Sequence, residues 1–144
     1  MRRMILGVTD EHIQKLGDTE LRTLVAQLCE LEVTGHQHSP AAVTWGGHQN
    51  APDGGIDVRV SLPATAQISG YVPKPATGFQ VKAQDMPRRE ILAEMAPDGV
   101  VLKSISELAS MGGAYIIVSS HGSVADSALA NRKAAMAEAV ANLA

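Results

Sequence analysis

The chain has 144 residues, of which 45% are hydrophobic and 19% charged, and its formal net charge is −3 at pH 7. These values are typical of one globular domain with a single core, and no apolar run approaches the roughly 18 residues of a membrane span. The acidic balance gives no global attraction to nucleic acid, so any such binding must be local. The single cysteine, Cys29, excludes an internal disulfide and fits a reducing compartment, so we expect a cytoplasmic protein.

The first part of the chain predicts one helix followed by strands. Residues Asp18–Glu32 repeat leucine and valine at helical spacing, which predicts an amphipathic helix, and 34–52 has the Gly, His and Pro content of a loop. Two runs that alternate apolar and polar residues, Gly54–Val60 and Gly78–Ala83, each predict a half-buried strand. Between them, Gln67–Val72 is interpreted as an edge strand because prolines flank it.

Helices and one further strand follow in the second part. Asp85 and Ser104 are each predicted to cap a short helix. Ala114–Val118 is a continuous apolar run, which predicts a strand buried on both faces. Ser123 has the spacing of a capping box before the last helix. This order predicts a single α/β domain over residues 1–144, with a mixed sheet and no internal repeat.

The candidate chemistry lies on the polar faces of the two alternating strands. Asp57 is predicted to project from the first strand, opposite the apolar face that Ile56 and Val58 share, and Gln80 and Lys82 project from the second strand. If the strands are neighbours, a carboxylate, an amide oxygen and an ammonium share one surface. Mg²⁺ prefers oxygen ligands and keeps several waters, so Asp57, Gln80 and the backbone carbonyl of Val81 can hold Mg²⁺ or Mn²⁺ beside a phosphate. Lys82 can then orient the attacking water or offset charge on the phosphoryl group.

A further acidic ligand is expected from the first helix, and helical geometry decides among its glutamates. Glu20 lies at the edge of the apolar stripe in the first turn, where the helix dipole favours an anion. Glu30 faces the opposite, solvated side, and Glu32 lies at the C-terminal end, where an anion is disfavoured. We therefore expect Glu20 to complete the metal site. A glutamate that is simply exposed in the first turn is the alternative interpretation.

The residues Asp53–Asp57 (DGGID) followed by Gln80–Lys82 (QVK) resemble the PD-(D/E)xK nuclease superfamily, in its Mrr-like restriction endonuclease branch. The resemblance extends from about Glu20 to Lys133. It implies a restriction-endonuclease-like fold, in which helices flank a mixed sheet on both faces. It also implies Mg²⁺- or Mn²⁺-dependent cleavage of double-stranded DNA by homo-oligomers, often in defence against foreign DNA.

The resemblance assigns a role to each matched residue. Asp57 matches the metal-binding aspartate, Lys82 the catalytic lysine and Glu20 the helix acid. Gln80 stands where the superfamily usually has Glu or Asp, although glutamine is common in the Mrr-like branch. A neutral ligand binds a cation more weakly than a carboxylate, so this departure gives Glu20 more importance. It also leaves open a catalytically silent, nuclease-like module that binds nucleic acid or mediates assembly.

Local contacts with DNA are expected from residues beyond the strand that carries Lys82. Arg88 and Arg89 open a predicted helix there, and His121 and Ser123 lie between the last strand and the last helix. Each has an ordinary alternative, because exposed arginines are commonly solvated and a serine often caps a helix. The alanine-rich run 133–144 contains no Gly or Pro stop, so we expect this domain to be the N-terminal part of a longer protein with further domains.

Other polar residues have simpler interpretations. His36, His38, His48 and Cys29 suggest a zinc site, but their spacing matches no standard structural pattern, so we interpret the histidines as solvated loop residues. Asp53 most simply begins a turn with Gly54. Asp57 itself has an alternative as a solvent-facing residue of an amphipathic strand.

Overall fold

The structure, a computed structural model, describes residues 7–45 and 55–143. Within these ranges five α-helices accompany one four-stranded mixed sheet. The helices are α1 (Asp10–Gln14), α2 (Asp18–Gly35), α3 (Arg88–Met95), α4 (Lys103–Ser110) and α5 (Asp126–Ala139). The strands are β1 (Val43–Trp45), β2 (Val58–Ser61), β3 (Ala76–Asp85) and β4 (Ala114–His121). None of the helices in the described ranges combines the length and hydropathy that a bilayer crossing requires.

The strand order in the sheet is β1-β2-β3-β4. β1, β2 and β3 are antiparallel neighbours, whereas β4 pairs with β3 in parallel over Thr77↔Ala114 to Lys82↔Ser119. A parallel pair needs a crossover connection, and the segment with α3 and α4 provides it. As a result, the carboxyl ends of β3 and β4 lie at the same end of the sheet, where ligands bind in many α/β folds.

One core lies between α2 and the sheet. Residues of α2 at four-residue spacing, Leu21, Val25, Cys29 and Val33, are buried against Val58, Val60, Phe79 and Val81. α2 begins at Asp18 as predicted and continues to Gly35, beyond the predicted end. Leu31, which was expected in the apolar stripe, is 68% exposed, because the buried face of α2 is centred on the Leu21–Val33 line.

A second core covers the other face of the sheet. Met86, Ile91, Met95, Ile105 and Ala135 are buried there, and Tyr115 and Ile117 of β4 pack against them. The prediction that 114–118 is buried on both faces is wrong, because every residue of β4 is only half-buried. The reason is its position, since β4 is the last strand of the described sheet and has a strand neighbour on one side only.

The predicted edge strand at 67–72 is wrong. Gly70 adopts a left-handed backbone with φ +80°, and the N–H of Tyr71 donates to the Glu32 carboxylate at 3.2 Å, so this segment turns against α2. Val72 is nevertheless fully buried in the α2 core.

Three predicted helix caps are also wrong. The N-caps of α3, α4 and α5 are Pro87, Leu102 and Ala125. Asp85 instead belongs to β3, which continues past a register shift after Lys82, and its carboxylate pairs with Arg132.

Cys29 provides a test of the α2 core. It is 1% exposed, and burial, followed by the charges of Glu32 and Glu30, raises its pKa to about 12. Because the thiolate is the reactive form, we expect the folded protein to react with Ellman's reagent at mildly alkaline pH on the order of 1,000-fold more slowly than the unfolded chain. The same shift stabilises the fold below the ordinary thiol pKa, and this contribution is lost as the pH rises towards 12. Rapid labelling of the folded protein would contradict this packing.

Candidate active site

Asp57 lies directly before β2, where its carboxylate contacts the neighbouring strand. Its Oδ2 accepts a hydrogen bond from the backbone N–H of Val81 at 2.8 Å, and its own N–H donates to the Phe79 carbonyl at 2.8 Å. The side chain is 15% exposed. Asp57 therefore extends the pairing with β3 by one residue before the start of β2. Its side-chain carboxylate accepts the Val81 N–H in place of a strand carbonyl.

A second carboxylate continues this arrangement along β3. β2 pairs with β3 only as far as Phe79, and the N–H of Ala83 donates to Asp18 Oδ1 at 2.7 Å. Along a strand, the N–H and C=O of one residue point to the same side, so the Val81 carbonyl faces the edge that Asp57 occupies. The structure thus brings the predicted ligands Asp57 and Val81 to one place.

Gln80 and Lys82 project from the surface of β3 that is opposite to the one buried against α2 by Phe79 and Val81, as their alternation predicts. Both contact Glu94 of α3, a residue that sequence analysis did not single out. The Gln80 Nε2 donates to Glu94 Oε1 at 2.7 Å, and the Lys82 Nζ lies 3.3 Å from the same oxygen. One carboxylate oxygen therefore holds both side chains of the QxK pattern.

Glu94 also determines which way the Gln80 amide faces. An ionised carboxylate only accepts hydrogen bonds, so the amide nitrogen must face Glu94 and the amide oxygen must point away from it. Gln80 is 3% exposed, and its Oε1 has no hydrogen-bond partner among the described residues. A Cβ on Gly55 would lie 3.4 Å from this oxygen, so Oε1 faces the segment that leads to Asp57.

Two more buried polar atoms near these carboxylates make no hydrogen bond within the described ranges. They are Arg22 Nε, which lies 3.6 Å from Asp57 Oδ1 in an ion pair, and the Tyr115 hydroxyl. Burial raises the pKa of Tyr115, and the charges of Glu94 and Asp57 raise it further. A buried polar atom left unsatisfied costs about 1–3 kcal/mol, so such a concentration of them is typical of a site completed by a ligand.

The charges of the group balance. Asp57 pairs with Arg22, and Glu94 pairs with Lys82, so two carboxylates face two cations. Residues 7–45 and 55–143 contain no cluster of three or more His, Cys, Asp or Glu side chains that could hold a metal ion. A divalent cation here would depend on two carboxylates together with the Gln80 and Val81 oxygens, a donor set that fits Mg²⁺ or Mn²⁺ better than zinc.

The structure does not bring Glu20 into this group. Glu20 is exposed, and its Oε1 accepts a hydrogen bond from the Gly17 N–H at 3.0 Å at the start of α2. Arg22 is two residues, and therefore about 200°, further around the helix, so the α2 face that meets Asp57 is not the face of Glu20. Glu20 as a metal ligand stays a prediction from the resemblance.

The predicted DNA-contacting residues lie beyond the carboxyl ends of β3 and β4. Arg88 pairs with Glu138, and Arg89 is exposed beside it at the start of α3. His121 Nδ1 lies 2.9 Å from the Ser120 hydroxyl, and Ser123 Oγ accepts a hydrogen bond from the Ala125 N–H. These residues share the end of the sheet that carries Lys82, and a DNA contact by them stays a prediction.

The remaining sequence candidates are accounted for by other contacts or lie outside the described residues. His36 bonds to the Glu32 carbonyl and the Ser69 hydroxyl, and His38 bonds to the Gln67 carbonyl. Cys29 is buried in the α2 core. Asp53, Gly54 and His48 lie outside the described residues.

Comparison with known protein families, with curated proteins and with solved structures finds no match to this chain. The site must therefore be interpreted from its own chemistry. Glu94 and Arg22 carry only a weak sequence signal, since each is a polar residue next to a buried apolar position of its helix, and Tyr115 lies within an apolar strand run.

The unsatisfied hydroxyl of Tyr115 generates a stability prediction. Removing a buried hydroxyl that has no partner removes an uncompensated desolvation cost, so we expect Tyr115→Phe to raise the free energy of unfolding by about 1 kcal/mol. Tyr71→Phe is the matched control, because Tyr71 is 61% exposed. Urea denaturation of the three proteins gives the values. A loss of stability in Tyr115→Phe alone would show that the hydroxyl has a partner in the folded state.

Proposed function

We propose that this chain is a metal-dependent endonuclease domain that hydrolyses phosphodiester bonds in double-stranded DNA. Its α/β fold would then be the restriction-endonuclease-like one, and its role that of the effector of a cytoplasmic defence protein. One observation carries the proposal. The Gln80 amide oxygen is buried, has no partner among the described residues and faces the Asp57 segment, while Glu94 fixes its orientation.

Four oxygen donors of the chain would hold a Mg²⁺ or Mn²⁺ ion. They are the carboxylates of Asp57 and Glu94, the Gln80 amide and the Val81 carbonyl. When bound, such an ion polarises a phosphoryl oxygen and lowers the pKa of a coordinated water. Asp57 Oδ2 already accepts from the Val81 N–H, so this hydrogen bond holds the carboxylate in place before any ion arrives.

Glu94 gives a physical reason for glutamine at position 80. A glutamate there would place two carboxylates about as close as the Gln80–Glu94 hydrogen bond, which is 2.7 Å long. Like charges at such a distance cannot both stay ionised. Glutamine donates to Glu94 and still presents an oxygen, so the site keeps two carboxylates while one of them is contributed by a helix. With Glu94 as the second carboxylate, the site no longer needs Glu20 to compensate for the neutral Gln80.

In this proposal Lys82 stabilises the reacting phosphate. Its side chain is 27% exposed and its ammonium lies 3.3 Å from Glu94. A cation in this position can hold an attacking water and offset the negative charge that develops on the phosphoryl oxygens. Arg22 adds a second positive charge beside Asp57.

A second candidate function is a catalytically silent module that binds nucleic acid or mediates assembly. The observation in its favour is that each carboxylate of the site already has a basic partner, Arg22 for Asp57 and Lys82 for Glu94. A site neutralised in this way has less need of a cation, and Lys82 could then be a structural ion-pair residue.

Plasmid nicking in Mn²⁺, with EDTA as the blank, tests the proposal. We expect Lys82→Ala to lower the rate by at least about 100-fold, because it removes the charge that faces the phosphate. Glu94→Gln should lower it by about 10- to 100-fold through weaker cation binding. At position 57 the variant to test is Asp57→Asn rather than an alanine variant, since the asparagine side chain can still accept the hydrogen bond from the Val81 N–H. Lys103→Ala is the matched control, because Lys103 is 90% exposed.

Circular dichroism and thermal unfolding establish that each variant is folded. Unchanged nicking by folded Lys82→Ala would refute the proposed mechanism. No Mn²⁺-dependent nicking by the wild-type protein at any concentration, including those that favour oligomers, would support the silent module.

A further inference from the structure

A separate cavity lies beyond the carboxyl end of β4, between α1, α5 and the beginning of α3. Its volume is about 540 Å³. Pockets that bind small molecules or cofactors measure about 300–1,000 Å³, so this cavity can accept one ligand of nucleotide size. The residues assigned to the cation site do not line it.

The cavity is lined by apolar and by polar side chains, and these two groups are called the interior and the rim below. The interior is formed by Ile13, Met86, Ile91, Ile117, Leu129 and Met136. The rim includes His121, Lys133, Arg132 and the acid Asp10, and Arg132 is already neutralised by its ion pair with Asp85. Lys133 is therefore the rim cation that could attract an anionic group of a ligand.

One of the two rim cations is free to meet a ligand. Arg132 is committed to the fold, since its guanidinium donates to Asp85 at 2.8 Å and to the Ser123 carbonyl at 2.9 Å. Lys133 is exposed and makes no hydrogen bond or ion pair within the described part of the chain. Its ammonium is therefore the natural partner of a bound anion.

The mouth of the cavity, at Gly122 in the loop after β4, is held in place by the Asp85–Arg132 ion pair. Gly122 has φ +105°, and a Cβ on it would lie 2.2 Å from Asp85 Oδ1 and 2.5 Å from Arg132 Nη2. Only glycine can pass beneath this ion pair, which ties the end of β3 to α5 across the loop after β4. A mouth fixed in this way lowers the ordering cost of binding a ligand.

Strand pairing makes the cavity a neighbour of the cation site. Ile117 and Ser119, which line the cavity, are the register partners of Gln80 and Lys82. Ile91 lines the cavity one helical turn before Glu94. A ligand in the cavity would thus lie one strand away from Lys82.

We propose that the cavity binds one nucleotide unit, with the base and sugar in the aliphatic interior and the phosphate against Lys133 and His121. The choice of a nucleotide among amphipathic anions rests on the proposed nuclease function. The unit has two possible sources with the same chemistry. It is either the terminal nucleotide of a DNA strand or a free nucleotide that regulates the domain.

Calorimetric titration in EDTA, where cleavage is suppressed, tests this proposal with five probes. They are dAMP, dTMP, a 5′-phosphorylated oligonucleotide, deoxyadenosine and inorganic phosphate. We expect at least one phosphorylated nucleotide probe to bind about tenfold or more tightly than deoxyadenosine or phosphate, because only it engages both interior and rim. Tight binding of dAMP or dTMP identifies a free-nucleotide site, and tight binding of the oligonucleotide alone identifies strand-end recognition.

Surface variants separate the cavity from other binding modes. Lys133→Gln should weaken binding about tenfold, and Leu129→Trp should abolish it by filling the cavity. Lys103→Gln and Leu31→Trp, at exposed positions away from the cavity, should leave it unchanged. No binding of any nucleotide probe, equal affinity for phosphate alone, or binding that survives Leu129→Trp would overturn the proposal. Since cleavage is not measured, either result leaves the nuclease proposal to its own test.

Discussion

The Glu94 carboxylate accepts a hydrogen bond from Gln80 and pairs with Lys82, and the proposed site depends on this contact. Without it, the Gln80 amide could face either way, and the Lys82 side chain would lose its partner. With it, the amide oxygen is buried beside the segment that leads to Asp57 and lacks any hydrogen-bond partner in the described structure. The fold tolerates an unsatisfied acceptor there, which is characteristic of a site organised for a ligand rather than for stability alone.

β2 begins only at Val58, opposite Phe79, and this late start gives the site its second constraint. β3 continues for six residues past Phe79, the last residue it pairs with β2, so backbone groups of its edge need partners other than a strand. Asp57 and Asp18 provide two of them through their carboxylates. The same contact that satisfies the Val81 N–H holds Asp57 beside the Val81 carbonyl. A structural requirement and a candidate ligand set thus coincide in Asp57.

Alternation along the strands could be predicted from the sequence, and it correctly placed Gln80 and Lys82 on one side of β3. It was wrong for Ile56, which packs over Gly78 beside Leu108 instead of sharing the face of Val58. The prediction fails for Ile56 because side chains alternate between the two faces of a sheet only within a paired strand, and Ile56 lies before β2. Glu94 could not be foreseen, since its contact with Gln80 depends on how the α3–α4 crossover folds back over the sheet. The half-exposure of β4 likewise depends on strand order, which a run of apolar residues does not encode.

Direct measurement of Mn²⁺ binding tests the central claim, that the oriented Gln80 oxygen and the carboxylates of Asp57 and Glu94 hold one divalent cation. Electron paramagnetic resonance of free Mn²⁺, titrated with the wild-type protein and with Gln80→Met, gives the stoichiometry and affinity of each. The account predicts one site per chain in the wild-type protein and a loss of at least about tenfold in affinity for the variant, because methionine offers no oxygen. Absence of binding by the wild-type chain, or equal affinity in folded Gln80→Met, would contradict it.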